Sequence, residues 1–264
     1  PSASATFRVR NQQLLLSIPQ KALGQVPRGY IDPKEFDEGI NAGLLNYSVN
    51  ASQSHARQQG EEDSSSQYVN LRPGFNIGAW RVRNYSTWNR STTGNEEEQK
   101  FTSVYTYAQR DMVAMKSDVT VGQSTSPSDV FDSVPYTGVE LKSDNDMLPD
   151  SKKGYAPIIR GTAHSNALVM VRQNGYVIYQ NTVAPGAFEI NDLYPTGSSG
   201  DLQVTVKETD GSESHFVVPF ASVPVLQREK NLRYSVTAGR YRSYDKDVEK
   251  TPFAQGSAIY GLPY

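Results

Sequence analysis

Hydrophobic and polar residues alternate along much of this chain with the period of two that marks strands. Val69, Leu71, Phe75 and Ile77 share one parity, while Asn70, Arg72 and Asn76 hold the other. Trp80, Val82, Asn84, Ser86 and Trp88 then oppose Arg81, Arg83 and Tyr85. With the stretches 42–49, 101–110, 118–123 and 136–142, the pattern predicts about six strands over residues 42–143. Pro73-Gly74 predicts a tight turn. Between the strands lie polar stretches at 51–66, 91–99 and 124–135, and shorter connections at Pro73-Gly74 and 111–116. Long and short loops thus alternate, as the outer loops and inner turns of an outer-membrane barrel do. A soluble meander has no reason to sort its loops this way.

The rhythm changes between about Gly154 and Glu229. Leu168, Met170 and Arg172 alternate with Val169, Val171 and Gln173, and Asn174-Gly175 then gives a strong hairpin signal. Phe188 and Ile190 form a short strand. Leu202, Val204 and Val206 precede a second turn at Asp210-Gly211, and Phe216, Val218 and Phe220 follow. Short strands with frequent turns predict a β-sandwich. Strands of the earlier kind resume at about Leu232–Arg242 and Phe253–Leu262. The expected fold is all-β: part of an antiparallel transmembrane β-barrel interrupted by a small β-sandwich. Its parts are residues 1–41 leading into the barrel, barrel strands over 42–143, a sandwich over 154–229, and about two further strands over 230–264.

Composition alters this picture little. Lys and Arg number 26 against 28 Asp and Glu, a net charge of −2, which gives no electrostatic case for nucleic acid. Mean hydropathy is −0.57, and no run approaches the ~20 apolar residues of a membrane helix, a test that barrel strands escape. The 16 Tyr suit a membrane interface and equally suit soluble strands. There is no Cys, which excludes disulfides and thiolate metal sites. The opening Pro1-Ser2-Ala3-Ser4 lacks the basic start and apolar run of a signal peptide, so an exported protein corresponds to a mature chain or an excised piece.

Several phrases, in order, carry a resemblance. They are Gly29-Tyr30-Ile31, Gly39-Ile40-Asn41-Ala42-Gly43-Leu44-Leu45-Asn46-Tyr47, Asn76-Ile77-Gly78-Ala79-Trp80-Arg81 and Ser143-Asp144-Asn145-Asp146-Met147-Leu148-Pro149-Asp150-Ser151. Gly154-Tyr155-Ala156-Pro157, Gln173-Asn174-Gly175-Tyr176, Pro185-Gly186-Ala187-Phe188, Asn191-Asp192-Leu193, Ser199-Gly200-Asp201-Leu202 and Pro224-Val225-Leu226-Gln227-Arg228 follow. Together they resemble the outer-membrane ushers of the chaperone–usher pilus pathway, nearest to those of type 1 fimbriae. The resemblance implies a multi-pass outer-membrane pore that assembles and secretes pilus subunits without ATP. Its partners are chaperone–pilin complexes from the periplasm, translocating subunits with their tip adhesin, and outer-membrane lipid. It makes the sandwich a plug that blocks the lumen at rest, and the chain a partial usher, too short to close the wide family pore. Subunits would join by β-strand addition.

On this reading the gate sits at the hinges of the plug. Asp144, Asp146, Asp150, Lys152 and Lys153 flank its start, and Arg228, Glu229 and Lys230 flank its end. Charges of both signs at two adjacent hinges can pair with each other or with the barrel wall. The alternative is solvated loop charges worth ~0–1 kcal/mol each. No enzyme and no cofactor is expected. His55, His164 and His215 are scattered, and Asp144-Asn145-Asp146 lacks the Gly at the sixth position and the Glu at the twelfth, here Tyr155, that a calcium loop needs. Gly197-Ser198-Ser199-Gly200 is a turn without the Lys-Ser/Thr of a phosphate loop. The competing reading is a soluble β-sandwich adhesion or carbohydrate-binding module. A general porin is a third, against which the plug phrases argue.

Overall fold

A computed structural model describes residues 4–8, 13–24, 26–57, 62–197, 199–221, 226–243 and 248–263. Pro1-Ser2-Ala3, Ser198 and Pro224-Val225, singled out in the sequence, lie outside the described residues. The strands β1 (Ser4–Arg8) and β2 (Gln13–Ser17) form an antiparallel pair. Six long strands follow: β3 (Ala42–Ser54), β4 (Ser64–Ile77), β5 (Trp80–Thr93), β6 (Glu96–Met112), β7 (Ser117–Thr125) and β8 (Pro135–Ser143). The inserted region carries β9 (Ile159–Ala163), β10 (Ala167–Gln173), β11 (Tyr176–Val183), β12 (Gly186–Ile190), β13 (Leu202–Lys207) and β14 (Glu213–Val218). Last come β15 (Leu232–Tyr241) and β16 (Pro252–Tyr260).

The chain divides into two compact units. One comprises Pro33–Asp144 with Tyr234–Ala258, and the other joins the residues up to Asp32, Asn145–Arg233 and those from Ile259.

The first unit is a single eight-stranded antiparallel sheet in the order β16-β15-β8-β7-β6-β5-β4-β3. The chain leaves it after β8 and returns at β15, directly beside β8, with Leu141 facing Val236 and Val139 facing Ala238. An interruption of the chain is therefore no interruption of the sheet. Register sorts the side chains into rows. Phe75, Val82, Ala108, Val121, Val139 and Ala238 stand in one row across six strands. The adjacent row, on the opposite face because successive residues alternate, is Asn76, Arg81, Gln109, Thr120, Glu140 and Thr237. Apolar residues of the first face lie open: Leu45, Tyr47, Val49 and Ile77 are exposed, while Glu140 and Thr237 are buried and hydrogen-bonded to each other at 3.1 Å.

Two expectations about loops are corrected. Pro73-Gly74 makes no turn and lies inside β4, while the chain reverses at Gly78-Ala79. Gly78 takes the positive φ, 53°, that a tight turn needs. Pro73 is tolerated because the β4–β5 pairing passes from Leu71–Ser86 to Gly74–Arg83, sparing its missing N–H. The polar stretch 91–99 is not a loop either. It extends β5 and β6 into a hairpin closed by Gly94-Asn95, with Gly94 at φ 57°. Thr92 faces Glu97 and Thr93 faces Glu96, and Arg90 lies 2.7 Å from Glu97, so cross-strand pairs support a hairpin with no apolar residue. Where β7 stops pairing with β6, beyond Gly122–Tyr107, side chains take over. The Gln123 Oε1 accepts from Thr106 N at 3.1 Å, and the Arg242 guanidinium donates to the carbonyls of Ser103 (3.0 Å) and Val104.

The second unit holds a sandwich. A four-stranded sheet, β11-β10-β13-β14, accompanies the pair β12-β9. Val169 and Val171 of β10, Leu202, Val204 and Val206 of β13, and Phe188 and Ile190 of β12 fill one core with Ile159 and Leu193. Gly161 stands opposite Phe188, where a Cβ would come 2.4 Å from the ring. Asn174 and Gly175, both at positive φ, close the β10–β11 hairpin.

Candidate functional site at the hinges of the insert

The first hinge is two 3-10 turns, Asn145–Met147 and Asp150–Lys152, on either side of Pro149. Proline fixes its own φ and pushes the preceding residue away from helical geometry, so neither turn grows into a helix. Lys153 Nζ lies 2.9 Å from Asp150 and 3.9 Å from Asp146. Lys152 turns the other way, donating to the Asn191 carbonyl at 2.6 Å and to its side-chain oxygen at 3.0 Å. Burial holds the Lys152 amine below the usual lysine range, helped by the Arg228 charge. Asp144 belongs to the eight-stranded unit, where its N–H donates to Lys116 O at 2.8 Å.

The second hinge turns on Arg228, which is only 6% exposed. Its Nε donates to Gly154 O at 2.8 Å, and one Nη donates to Leu193 O at 2.6 Å and to Lys153 O at 3.4 Å. The partners are main-chain carbonyls at the end of the first hinge and after β12. Burial pushes the guanidinium down to about 10, which still leaves it charged at neutral pH. A planar fork of fixed donors suits this clasp, and no ammonium reproduces it. Glu229 takes two bonds from Arg160 of β9, at 2.8 and 3.2 Å, and Arg160 also reaches Glu189 at 3.3 Å. Lys230 sits at φ 63° with its N–H on Gly261 O at 2.8 Å.

The structure therefore brings Asp146, Asp150 and Lys153 together, and joins the two hinges through Arg228. It does not pair Arg228 with Asp150. Three contributors carried no sequence signal as hinge residues. Arg160 anchors Glu229, while Gln20 and Arg28 bind the insert from far upstream. Among the described residues there is no group of three His, Cys, Asp or Glu that could hold a metal ion.

A family model described as outer membrane usher protein matches residues 68–264, and one described as PapC N-terminal domain matches residues 1–51. The chain belongs to the outer membrane usher family. It is 49% identical to the outer membrane usher protein LpfC of Salmonella typhimurium, over 100% of this chain and 31% of that one. Against the usher FimD of Escherichia coli the identity is 47%, over 99% and 30%. The chain thus spans about a third of the length of these ushers. The solved E. coli P pilus tip assembly intermediate PapC-PapD-PapK-PapG aligns over 99% of this chain and 33% of that one, with a TM-score of 0.57 at 34% identity. The eight-stranded sheet is accordingly the partial wall of an outer-membrane barrel, and the exposed apolar row is its lipid-facing side.

Proposed function

We propose that this chain is the section of an usher in which the early barrel wall meets the channel plug. The pore it contributes to assembles pilus subunits delivered by a periplasmic chaperone and secretes them, without an enzymatic step. The observation that carries the reading is the direct pairing of β8 with β15 around a sandwich that has its own core. A barrel wall whose sheet stays continuous where the chain leaves for the inserted module lets that module move without opening the wall. The solved PapC structure is a P pilus tip assembly intermediate with PapD, PapK and PapG, and partners in pilus assembly suit a protein of this family. A soluble adhesion module leaves the open apolar row of the sheet without a purpose.

In this reading the hinge residues set the plug equilibrium. Arg228 ties the start and end of the plug together, Lys153 with Asp146 and Asp150 orders the first hinge, and Glu229 with Arg160 ties the second hinge to β9. Asp144, Lys152 and Lys230 fix the flanking main chain. Opening is a shift between two plug positions, set by differential contacts. The test is a full-length usher carrying this sequence with residues 154–229 replaced by a short Gly-Ser turn. Planar-bilayer recording is expected to show a large, permanently open channel. A channel as closed as the unaltered one refutes the plug assignment.

A further inference from the structure

The segment ahead of β3 is docked on the inserted sandwich. Its 3-10 turn Gln20–Ala22 brings the buried Gln20 side chain to β12. There the amide makes both bonds that a neighbouring strand would make: Nε2 donates to Glu189 O at 3.0 Å, and Oε1 accepts from Glu189 N at 2.8 Å. Lys21 Nζ lies 3.5 Å from the Glu189 carboxylate. Further on, Arg28 Nε donates to Asp192 Oδ2 at 2.9 Å, and its Nη donates to Asp192 O at 2.7 Å. The same guanidinium lies 4.9 Å from the Tyr179 ring centre and 4.7 Å from that of Tyr194, within cation–π range of both. The Arg28 carbonyl accepts from Ser151 Oγ at 2.6 Å and from Ser151 N at 3.3 Å, inside the first hinge.

We propose that residues 19–30 are a strap that restrains the plug, with Arg28 as its latch; the inference rests on the sandwich being a plug. The plug is joined to the wall at its two hinges. The strap is joined to the wall separately, through residues 33–41 and β3. Latching the two adds a third tether and closes a loop through six wall strands, since Arg28 and Asp192 are 164 positions apart. Closing such a loop narrows the excursions open to the plug. The coupling is reciprocal, so whatever draws the strap away favours plug movement by the same factor. The latch is also built to release. Arg28 keeps 41% of its side chain in water, whereas Arg228 at the hinge is buried.

The test uses a full-length usher carrying this sequence. Lys21 Nζ lies 3.5 Å from the Glu189 carboxylate, so a zero-length carbodiimide amide between Lys21 and Glu189, mapped by peptide mass spectrometry, reports strap docking. Adding Arg28→Ala is expected to slow that cross-link in membranes roughly tenfold. In planar bilayers, Arg28→Ala alone is expected to raise channel opening by a similar factor. Arg28→Lys, which keeps the charge and loses the planar fork, falls between. The cross-linked usher opens less often than a Lys21→Arg form treated alike. Each variant is first shown to keep a heat-modifiable barrel on gels. Unchanged cross-linking in Arg28→Ala overturns the latch, and slowed cross-linking with unaltered opening overturns the restraint. If the unaltered usher forms no gated channel, the plug assignment itself fails, while the cross-link still reads docking.

Discussion

The barrel wall and the inserted sandwich, which we propose to be the plug, are written in the same alternating code and stabilised in opposite ways. In the plug, the apolar parity of β10, β12 and β13 turns inward, and Phe188 is 1% exposed. In the wall the apolar parity turns outward, leaving Leu45 at 61% exposure, while Glu140 on the other face is 2% exposed. Water is the solvent that drives the first arrangement, through burial of apolar area. Lipid removes that drive from the second, where backbone ladders and polar contacts on the inner face carry the structure. An alternating strand therefore announces two faces, and its surroundings decide which one is inside.

Substitutions that delete apolar or polar groups should separate the two regions. The largest effect is expected from Phe188→Ala, which empties the space under Gly161 and costs the plug about 3–5 kcal/mol. Leu45→Ala, on the lipid face of β3, should cost the wall less than about 1 kcal/mol, because the removed atoms pack only against lipid. Thr237→Val inverts the order within the wall. It removes the donor to Glu140 and leaves a buried carboxylate short of a partner, for about 1–3 kcal/mol. Urea titration of a full-length usher, read by proteolysis for the plug and by heat-modifiability for the barrel, measures all three. Equal losses for Phe188→Ala and Leu45→Ala would remove the distinction.

The legibility of the sequence divides along the same line. Alternation in the core strands of both regions could be read directly, because each strand carries its own period. The ends of strands could not. Residues 91–99 contain no apolar position, and only the facing of Thr92 with Glu97 and Thr93 with Glu96 turns them into strand. β9 carries no clear period, because Gly161 breaks its five-residue pattern. At the hinges, the charged residues were visible and their partners were not. Arg228 reads as one of several hinge charges that can pair with each other or with the wall, yet it is buried on three carbonyls, which every residue carries and no sequence pattern marks. Gln20 and Arg28 are less legible still, since their partners lie 169 and 164 positions away.

A second prediction turns on what the hinge clasp contributes. Arg228→Ala leaves the carbonyls of Leu193 and Gly154 without their donor. It also removes a buried charge, so the net loss should be modest, about 1–2 kcal/mol. The expected sign is faster proteolysis between residues 226 and 233 and more frequent channel opening, with the barrel band unchanged. Arg228→Lys should recover little, because one ammonium cannot span carbonyls placed for a fork. If Arg228→Ala behaves like the unaltered protein in both assays, the clasp is not part of the gate.

The smallest effect concerns a staple at the rim of the plug. Glu208 accepts from the N–H groups of His164 (2.9 Å) and Ser165 (2.8 Å) and from the Ser165 hydroxyl, closing the turn between β9 and β10. The Ser165 hydroxyl, and then the His164 N–H, hold its carboxyl below the usual glutamate value of 4.5. A folded-state value below the unfolded one means that the staple is complete above pH 4.5 and is lost as pH falls through the lower folded value. The group is exposed, so the gain is local. Hydrogen-exchange protection at Ser165 should fall as the pH drops below about 4.5, while that at Val169, inside the apolar core, should not. Glu208→Gln should show the reduced Ser165 protection at every pH, because an amide offers one acceptor oxygen where the carboxylate offers two. Parallel loss at Ser165 and Val169 would mean that acid loosens the whole plug through some other carboxylate.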